Sequence, residues 1–145
     1  MKSYSVFFAN YTIGEDAYEQ VVPVCAPHGS RILLIGGEKA MAAAGGLLKD
    51  AIKGSSLEIV DEVVFGKDCT YGAIDHWAVY AREQKADMIF GLGGGKALDT
   101  AKGAAARAGL PVFTFPTIAA TCAATTALSV VYKEDGNFDS FYFFD

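Results

Sequence analysis

The chemistry most legible in this chain sits in the run Gly91-Leu92-Gly93-Gly94-Gly95-Lys96-Ala97-Leu98-Asp99-Thr100-Ala101-Lys102. Gly93, Gly94 and Gly95 carry no Cβ, so a ligand can press against the backbone itself. Where such a stretch opens a helix, the unpaired N–H groups of the first turn and the helix dipole favour an anion, and a pyrophosphate fits that description. Lys96 is either a point charge beside that phosphate or an exposed lysine at a helix start. Asp99 would be repelled by a phosphate and is read as structural, holding a neighbouring loop or pairing with Lys102 at i, i+3. Counting excludes two commoner phosphate loops. A Walker loop needs Gly at position 90 and Ser or Thr at 97, where Phe90 and Ala97 stand, and a G-x-G-x-x-G started at Gly91 ends on Lys96. A tight strand-to-helix turn without a ligand is the alternative, and one or two glycines would serve it.

A second set lies between Phe115 and Tyr132, where Thr117, Thr121, Thr125 and Thr126 are spaced among alanines. Small residues with hydroxyls can approach and hydrogen-bond a ligand closely; a small-residue helix packed in the core is the competing reading. Cys122 lies in this run. Nothing in the sequence marks it as an activated thiol, so it is not read as a nucleophile. His28, in Pro27-His28-Gly29, and His76, beside Trp77, have no histidine partner at helical spacing, so both are read as structural or exposed and no metal site is expected. The G-x-S-x-G elbow of esterases is missing.

The elements that must carry these residues alternate as in a parallel α/β sheet. Strands are expected at Val6 to Ala9, Arg31 to Ile35, Asp87 to Gly91 and Val112 to Phe115, and a strand or strand pair at Leu57 to Phe65. Helices are expected at Glu15 to Val22, Ala40 to Lys53, Thr70 to about Lys85 and Lys96 to Ala108. Pro23 and Pro27 are read as breaking the first helix, Thr70 as an N-cap, and Gly54 and Gly109 as stops. Ala101, Ala104, Ala105 and Ala108 would let the last helix sit close on the sheet. Leu128 to Tyr132 and Phe138 to Phe144 read as a hairpin turning at Glu134-Asp135-Gly136-Asn137.

At 145 residues the chain is read as one domain, 1–145. Twelve Lys and Arg against 17 Asp and Glu give a net charge of −5, which argues against a nucleic-acid partner. No run approaches the roughly 18 apolar residues of a membrane span and no signal peptide opens the chain, so a cytoplasmic protein is expected. Cys25, Cys69 and Cys122 form no C-x-x-C pair and are read as reduced thiols. Ser140-Phe141-Tyr142-Phe143-Phe144-Asp145 is an apolar run at the chain's end, so a longer protein is inferred, with self-association through an exposed face.

Gly93 to Lys96 followed by Asp99, Ala101 and Lys102 resembles the nucleotide loop of the iron-containing alcohol dehydrogenase superfamily, which includes glycerol dehydrogenases. The run Phe115-Pro116-Thr117-Ile118-Ala119-Ala120-Thr121-Cys122-Ala123-Ala124-Thr125-Thr126-Ala127-Leu128-Ser129-Val130-Val131-Tyr132 is similar to the matching segment of the hydroxycarboxylate dehydrogenase branch. The resemblance implies a Rossmann-like sheet flanked by helices, of the dehydroquinate synthase-like N-terminal type. It implies that Gly93, Gly94, Gly95, Lys96 and Thr117 hold a dinucleotide, with Thr121, Thr126, Leu128 and Tyr132 around its ribose and nicotinamide. The resemblance puts Cys122 on the substrate side of the pocket, where glycerol dehydrogenases carry an aspartate, and the exchange favours an anionic 2-hydroxy or 2-oxo acid over glycerol. Gly37 stands where an acidic residue would bind the adenosine ribose of NAD. With Lys39 nearby to meet a 2′-phosphate it favours NADP over NAD, although Glu38 opposes that and Lys39 is equally readable as solvent-facing.

The resemblance further implies a divalent metal, Zn or Fe, held by a helical C-terminal domain that this chain lacks, so the chain is expected to bind NAD or NADP without turnover. Two alternatives stay open. One is a short non-catalytic, regulatory nucleotide-binding protein; the other is a sugar-phosphate cyclase of dehydroquinate synthase type, which the Ala119 to Thr126 segment fits less well.

Overall fold

The computed structural model describes residues 10–144, and the strand expected at Val6 to Ala9 lies outside them. Four strands, β1 (Arg31–Gly36), β2 (Glu58–Val64), β3 (Met88–Gly93) and β4 (Val112–Pro116), form a parallel sheet in the order β2-β1-β3-β4. The apolar runs of the central strands β1 and β3 are continuous because both are covered on two sides, whereas the edge strand β2 mixes in Glu58, Asp61 and Glu62. Ile32 and Leu34 of β1 and Met88, Phe90 and Leu92 of β3 face a core shared with α1 (Val21–Cys25) and α2 (Glu38–Ile52). Leu33, Ile35 and Ile89 face the opposite core, closed by Ala81 of α3 (Tyr71–Glu83) and by Ala101, Ala104 and Ala105 of α4 (Gly95–Ala108).

The first segment departs from the expected Glu15 to Val22 helix. It is a 3₁₀ turn at Ala17–Gln20, then α1, then a second 3₁₀ turn at Ala26–His28. Pro23 does not break it, because the third residue of a helix has no intrahelical partner for the N–H that proline lacks. Pro27 is accommodated in the same way at the start of the second 3₁₀ turn. The next helix also begins earlier than Ala40: Gly37 is its N-cap, and the Gly37 carbonyl accepts from Met41 N at 2.8 Å. Thr70 caps α3 through Oγ1, which accepts from Ala73 N at 3.1 Å, and Gly109 ends α4 in the left-handed conformation.

Asp87 aligns β1 with β3. Its Oδ2 accepts from Ser30 N at 2.8 Å and Arg31 N at 2.9 Å, and these backbone donors hold its carboxyl below the ordinary carboxylate range. Beyond the sheet, β5 (Leu128–Tyr132) and β6 (Phe138–Phe143) form the antiparallel hairpin, with Gly136 at positive φ in its turn. Val131 packs with Cys69 and Ile74, and Tyr132 N donates to the Cys69 carbonyl at 2.8 Å, so the hairpin is seated against the start of α3. The outer rings Phe138, Phe141 and Phe143 remain exposed. Burial pushes the Cys25 thiol up to about 12 and Cys69 up to about 11, so both are protonated, unreactive members of the core.

Helix α4 lies unusually near its neighbours. A Cβ built on Gly91 would come within 2.8 Å of Ala101 Cβ, and one on Gly103 within 2.6 Å of Ile74 Cδ1. Gly103→Ala therefore overpacks the α3–α4 contact. We expect it to cost about 1–3 kcal/mol in urea unfolding, with part of the loss recovered by Ile74→Val.

Candidate functional site

β1 and β3 are neighbours, yet the helices that follow them cover opposite faces of the sheet. Beyond their C-terminal ends the chain therefore parts in two directions, and at such a switch of direction open α/β sheets form the crevice that takes ligands. Two helix starts meet there. Gly37, the N-cap of α2, donates its N–H to the Leu92 carbonyl at 3.1 Å. A Cβ on Gly93 would lie 3.5 Å from Gly37 N, 3.6 Å from Ala40 Cβ and 3.1 Å from Ala97 Cβ, and Gly93 has φ +147. Glycine is required at this point by both space and backbone conformation. Gly94 is the N-cap of α4 and has no side chain to satisfy the first-turn N–H groups.

The threonine-rich run is a loop of bends and one turn, not a helix packed in the core. Thr117 N donates to the Gly93 carbonyl at 3.1 Å, and the loop then crosses the glycines. A Cβ on Gly94 would meet Ile118 Cδ1 at 3.1 Å and one on Gly95 would meet Thr121 Oγ1 at 3.4 Å. Thr121 and Cys122 are exposed, and Thr121 Oγ1 accepts from Ala123 N at 3.1 Å. Thr114 Oγ1 donates to the Ala124 carbonyl at 2.8 Å and anchors the far side of the loop. That role of Thr114 has no local signal in the sequence.

Asp99 and Lys102 form a buried ion pair at 3.0 Å, with 8% and 5% of their side chains exposed. Lys102 Nζ also donates to the Leu128 carbonyl at 2.5 Å and to the carbonyl and Oγ1 of Thr126 at 3.1 and 3.2 Å. Four acceptors share three protons, so Asp99 Oδ1 is neutralised by the ammonium without an aligned hydrogen bond. Asp99 Oδ2 accepts from Val130 N at 3.1 Å, and Ser129 Oγ donates to the Asp99 carbonyl at 2.6 Å. One turn of α4 thus holds the end of the loop and the start of β5. Thr126 and Leu128 engage it through their main chains, Thr126 also through its hydroxyl; Ser129 is a partner that sequence reasoning missed.

Lys96 does not stand free beside the glycines. Its Nζ is engaged by Asp68 Oδ1 and lies 5.2 Å over the Tyr132 ring, and Asp68 raises its pKa above the ordinary lysine value. Gly37 borders the crevice, and Lys39 is exposed in the first turn of α2. His28 lies edge-on to Phe113 at 5.4 Å and His76 is exposed beside Trp77. Neither histidine reaches the crevice residues. Among the described residues no three His, Cys, Asp or Glu side chains converge on one point.

The family model for iron-containing alcohol dehydrogenase matches residues 9–144. The chain belongs to the iron-containing alcohol dehydrogenase family. It is 35% identical over 131 residues to a glycerol dehydrogenase of Escherichia coli O6:H1, covering 90% of this chain and 35% of that protein. It is 39% identical over 116 residues to hydroxycarboxylate dehydrogenase A of Escherichia coli K12, covering 80% of this chain and 31% of that one. A crystal structure of a probable glycerol dehydrogenase from Sinorhizobium meliloti superposes with a TM-score of 0.71 at 30% identity, over 88% of this chain and 34% of its own. An NADH-dependent butanol dehydrogenase A from Thermotoga maritima shares the fold with a TM-score of 0.80 at 21% identity, over 93% and 39%. The chain spans about a third of the length of the curated relatives it matches. No helix among its described residues is long and apolar enough to cross a membrane.

In this member of the iron-containing alcohol dehydrogenase family the buried pair is a point of vulnerability. Lys102→Met would leave Asp99 charged and buried, and we expect a loss of about 3–5 kcal/mol in urea unfolding, with hydrogen-exchange protection of the Val130 amide falling first. Asp99→Leu/Lys102→Met should lose much less than the sum of the single changes.

Proposed function

We propose that this chain is the dinucleotide-binding part of an NAD(P)-dependent oxidoreductase acting on a small alcohol, glycerol or 2-hydroxy acid. The observation that carries the reading is the meeting of two helix starts, Gly37 of α2 and Gly94–Gly95 of α4, at the ends of adjacent parallel strands. Aligned first-turn N–H groups and two helix dipoles favour an anion there, and the glycines admit it to the backbone. A Cβ at Gly94 would press on Ile118 at 3.1 Å, while one at Gly95 would only touch Thr121 at 3.4 Å, so the glycines let the loop lie close over the start of α4 and leave the backbone there free of side-chain bulk.

Gly93, Gly94, Gly95 and Thr117 would hold the pyrophosphate by main-chain groups, with Lys96 nearby and paired with Asp68. Thr121, Thr126, Leu128 and Tyr132 would border the ribose and nicotinamide. A bound nicotinamide supplies hydride exchange with a substrate carbon. The residues of this chain bind and orient it and shield its phosphates from water. The relatives' family name implies a metal, but the donor set among the described residues does not fit one. The reading for this chain is accordingly binding; the redox reaction is proposed for the longer protein of which its relatives are examples.

Cys122 supports a 2-hydroxy or 2-oxo acid over glycerol. It is exposed on the loop that crosses the glycines, at the position where the resemblance places an aspartate, and a neutral side chain there removes repulsion of a carboxylate. Gly37 and the exposed Lys39 support NADP over NAD. Gly37 has φ −81, and a Cβ there would find only ordinary contacts, 4.0 Å from Ala40 Cβ and from Phe65 Cε1.

Titration with NADPH and NADH, read by nicotinamide fluorescence, should give saturable binding of both with NADPH the tighter. Failure of both to bind at about 1 mM overturns the reading. Gly37→Asp should fold normally and shift the ratio of the two dissociation constants by about tenfold or more toward NADH, by repelling a 2′-phosphate and accepting from ribose hydroxyls. An unchanged ratio would remove Gly37 from the site.

A further inference from the structure

Lys96 is the first charged side chain after the three glycines, and in the structure its charge is already answered. Asp68, 28 residues earlier in the segment joining β2 to α3, engages its ammonium. The carboxylate is the more enclosed partner, with 12% of its side chain exposed against 52% for Lys96. Asp68 is therefore the enclosed member and Lys96 reaches it from the exposed side, with the ring of Tyr132 at 5.2 Å as a second support. The arrangement also relieves a local conflict. Lys96 is the second residue of α4, where the dipole disfavours a cation and the carboxylate partner offsets that cost.

We propose that Asp68 sets the affinity of the glycine-loop site: its carboxylate neutralises Lys96 beside the loop, so a bound pyrophosphate is held by backbone N–H groups with little net attraction from the lysine. The inference rests on the reading of this loop as a dinucleotide site. Its physical content is a pattern of signs. Removing the carboxylate raises the net charge beside the loop by one and leaves Lys96 uncompensated, so phosphate-bearing ligands bind more tightly. Removing the lysine leaves Asp68 uncompensated, so they bind more weakly. A merely structural ion pair behaves differently, because loss of either partner loosens the same segments and weakens binding in both cases. The functional logic is that a dinucleotide gripped too firmly leaves slowly, and release limits many turnover rates.

The test uses the full chain with inorganic pyrophosphate and NADH as separate probes, read by the amide shifts of Gly94 and Gly95, with urea unfolding as a control on the fold. Asp68→Asn should tighten both probes by about three- to tenfold at low ionic strength, and the gain should shrink as salt is added. Lys96→Met should weaken both, and Asp68→Asn/Lys96→Met should abolish the gain. Asp68→Ser makes the same charge change with a smaller side chain and decides the matter if the asparagine variant does not fold. Weaker or unchanged pyrophosphate binding in the Asp68 variants overturns the proposal, as does a gain that survives in the double variant. If NADH binds but shows no tightening, the dinucleotide reading stands and the role of Asp68 falls. If pyrophosphate tightens while NADH binds to no variant, Asp68 keeps its role and the dinucleotide reading falls. If neither probe shifts the loop amides, both are overturned.

Discussion

The close approach of α4 to everything around it governs the organisation of this molecule. Gly91 lets the helix rest on β3, Gly103 lets α3 rest on the helix, and Gly93 lets the chain turn from strand to helix against Gly37 and Ala40. Because these contacts lack side-chain bulk, the start of α4 lies level with the ends of β1 and β3, and its first-turn N–H groups border the crevice. A helix standing further off would still complete the hydrophobic core but would leave the crevice without donors. The same economy of volume that packs the fold thus also builds the candidate site.

Close packing leaves α4 little room for charge, and yet Asp99 and Lys102 are both buried on it. They are retained by what they hold. Through four residues of one stretch, Thr126, Leu128, Ser129 and Val130, they fasten the hairpin and the end of the loop to the helix that carries the glycines. A buried ion pair is weak evidence of stability in itself, and a well-packed apolar pair would serve the core as well. Here it specifies position, because its acceptors and donors are fixed points of a loop that has few other tethers.

Much of this architecture can be read in the amino-acid sequence, and the boundary of legibility has a physical basis. The runs Arg31–Gly36 and Met88–Gly93 are apolar at every position or nearly so, and such runs are buried strands almost whatever surrounds them. Thr70, Gly109 and the turn around Gly136 act within a few residues of themselves and were equally plain. The i, i+3 spacing of Asp99 and Lys102 is visible, whereas their attachments to Ser129 and Val130 depend on how the hairpin docks. Asp68 is not legible as the partner of Lys96 for the same reason: nothing local relates residues 28 apart. The segment around Pro23 differs from its sequence reading because a proline in a first helical turn looks like a helix breaker until the helix start is known.

The loop from Thr117 to Ala127 is tied to the fold mainly at its two ends, by Thr117 N to Gly93, Thr114 to Ala124 and Lys102 to Thr126, while Ala119, Ala120 and Cys122 between them are exposed. Residues there touch no core, so a change of side chain alters what the crevice admits without taxing the folding equilibrium. In evolutionary terms the two properties are separable: sequence drift in the middle of the loop can explore new chemistry while selection for foldedness acts on α4 and its glycines. The exposed middle of the loop is thus free to vary while the scaffold that presents it is kept.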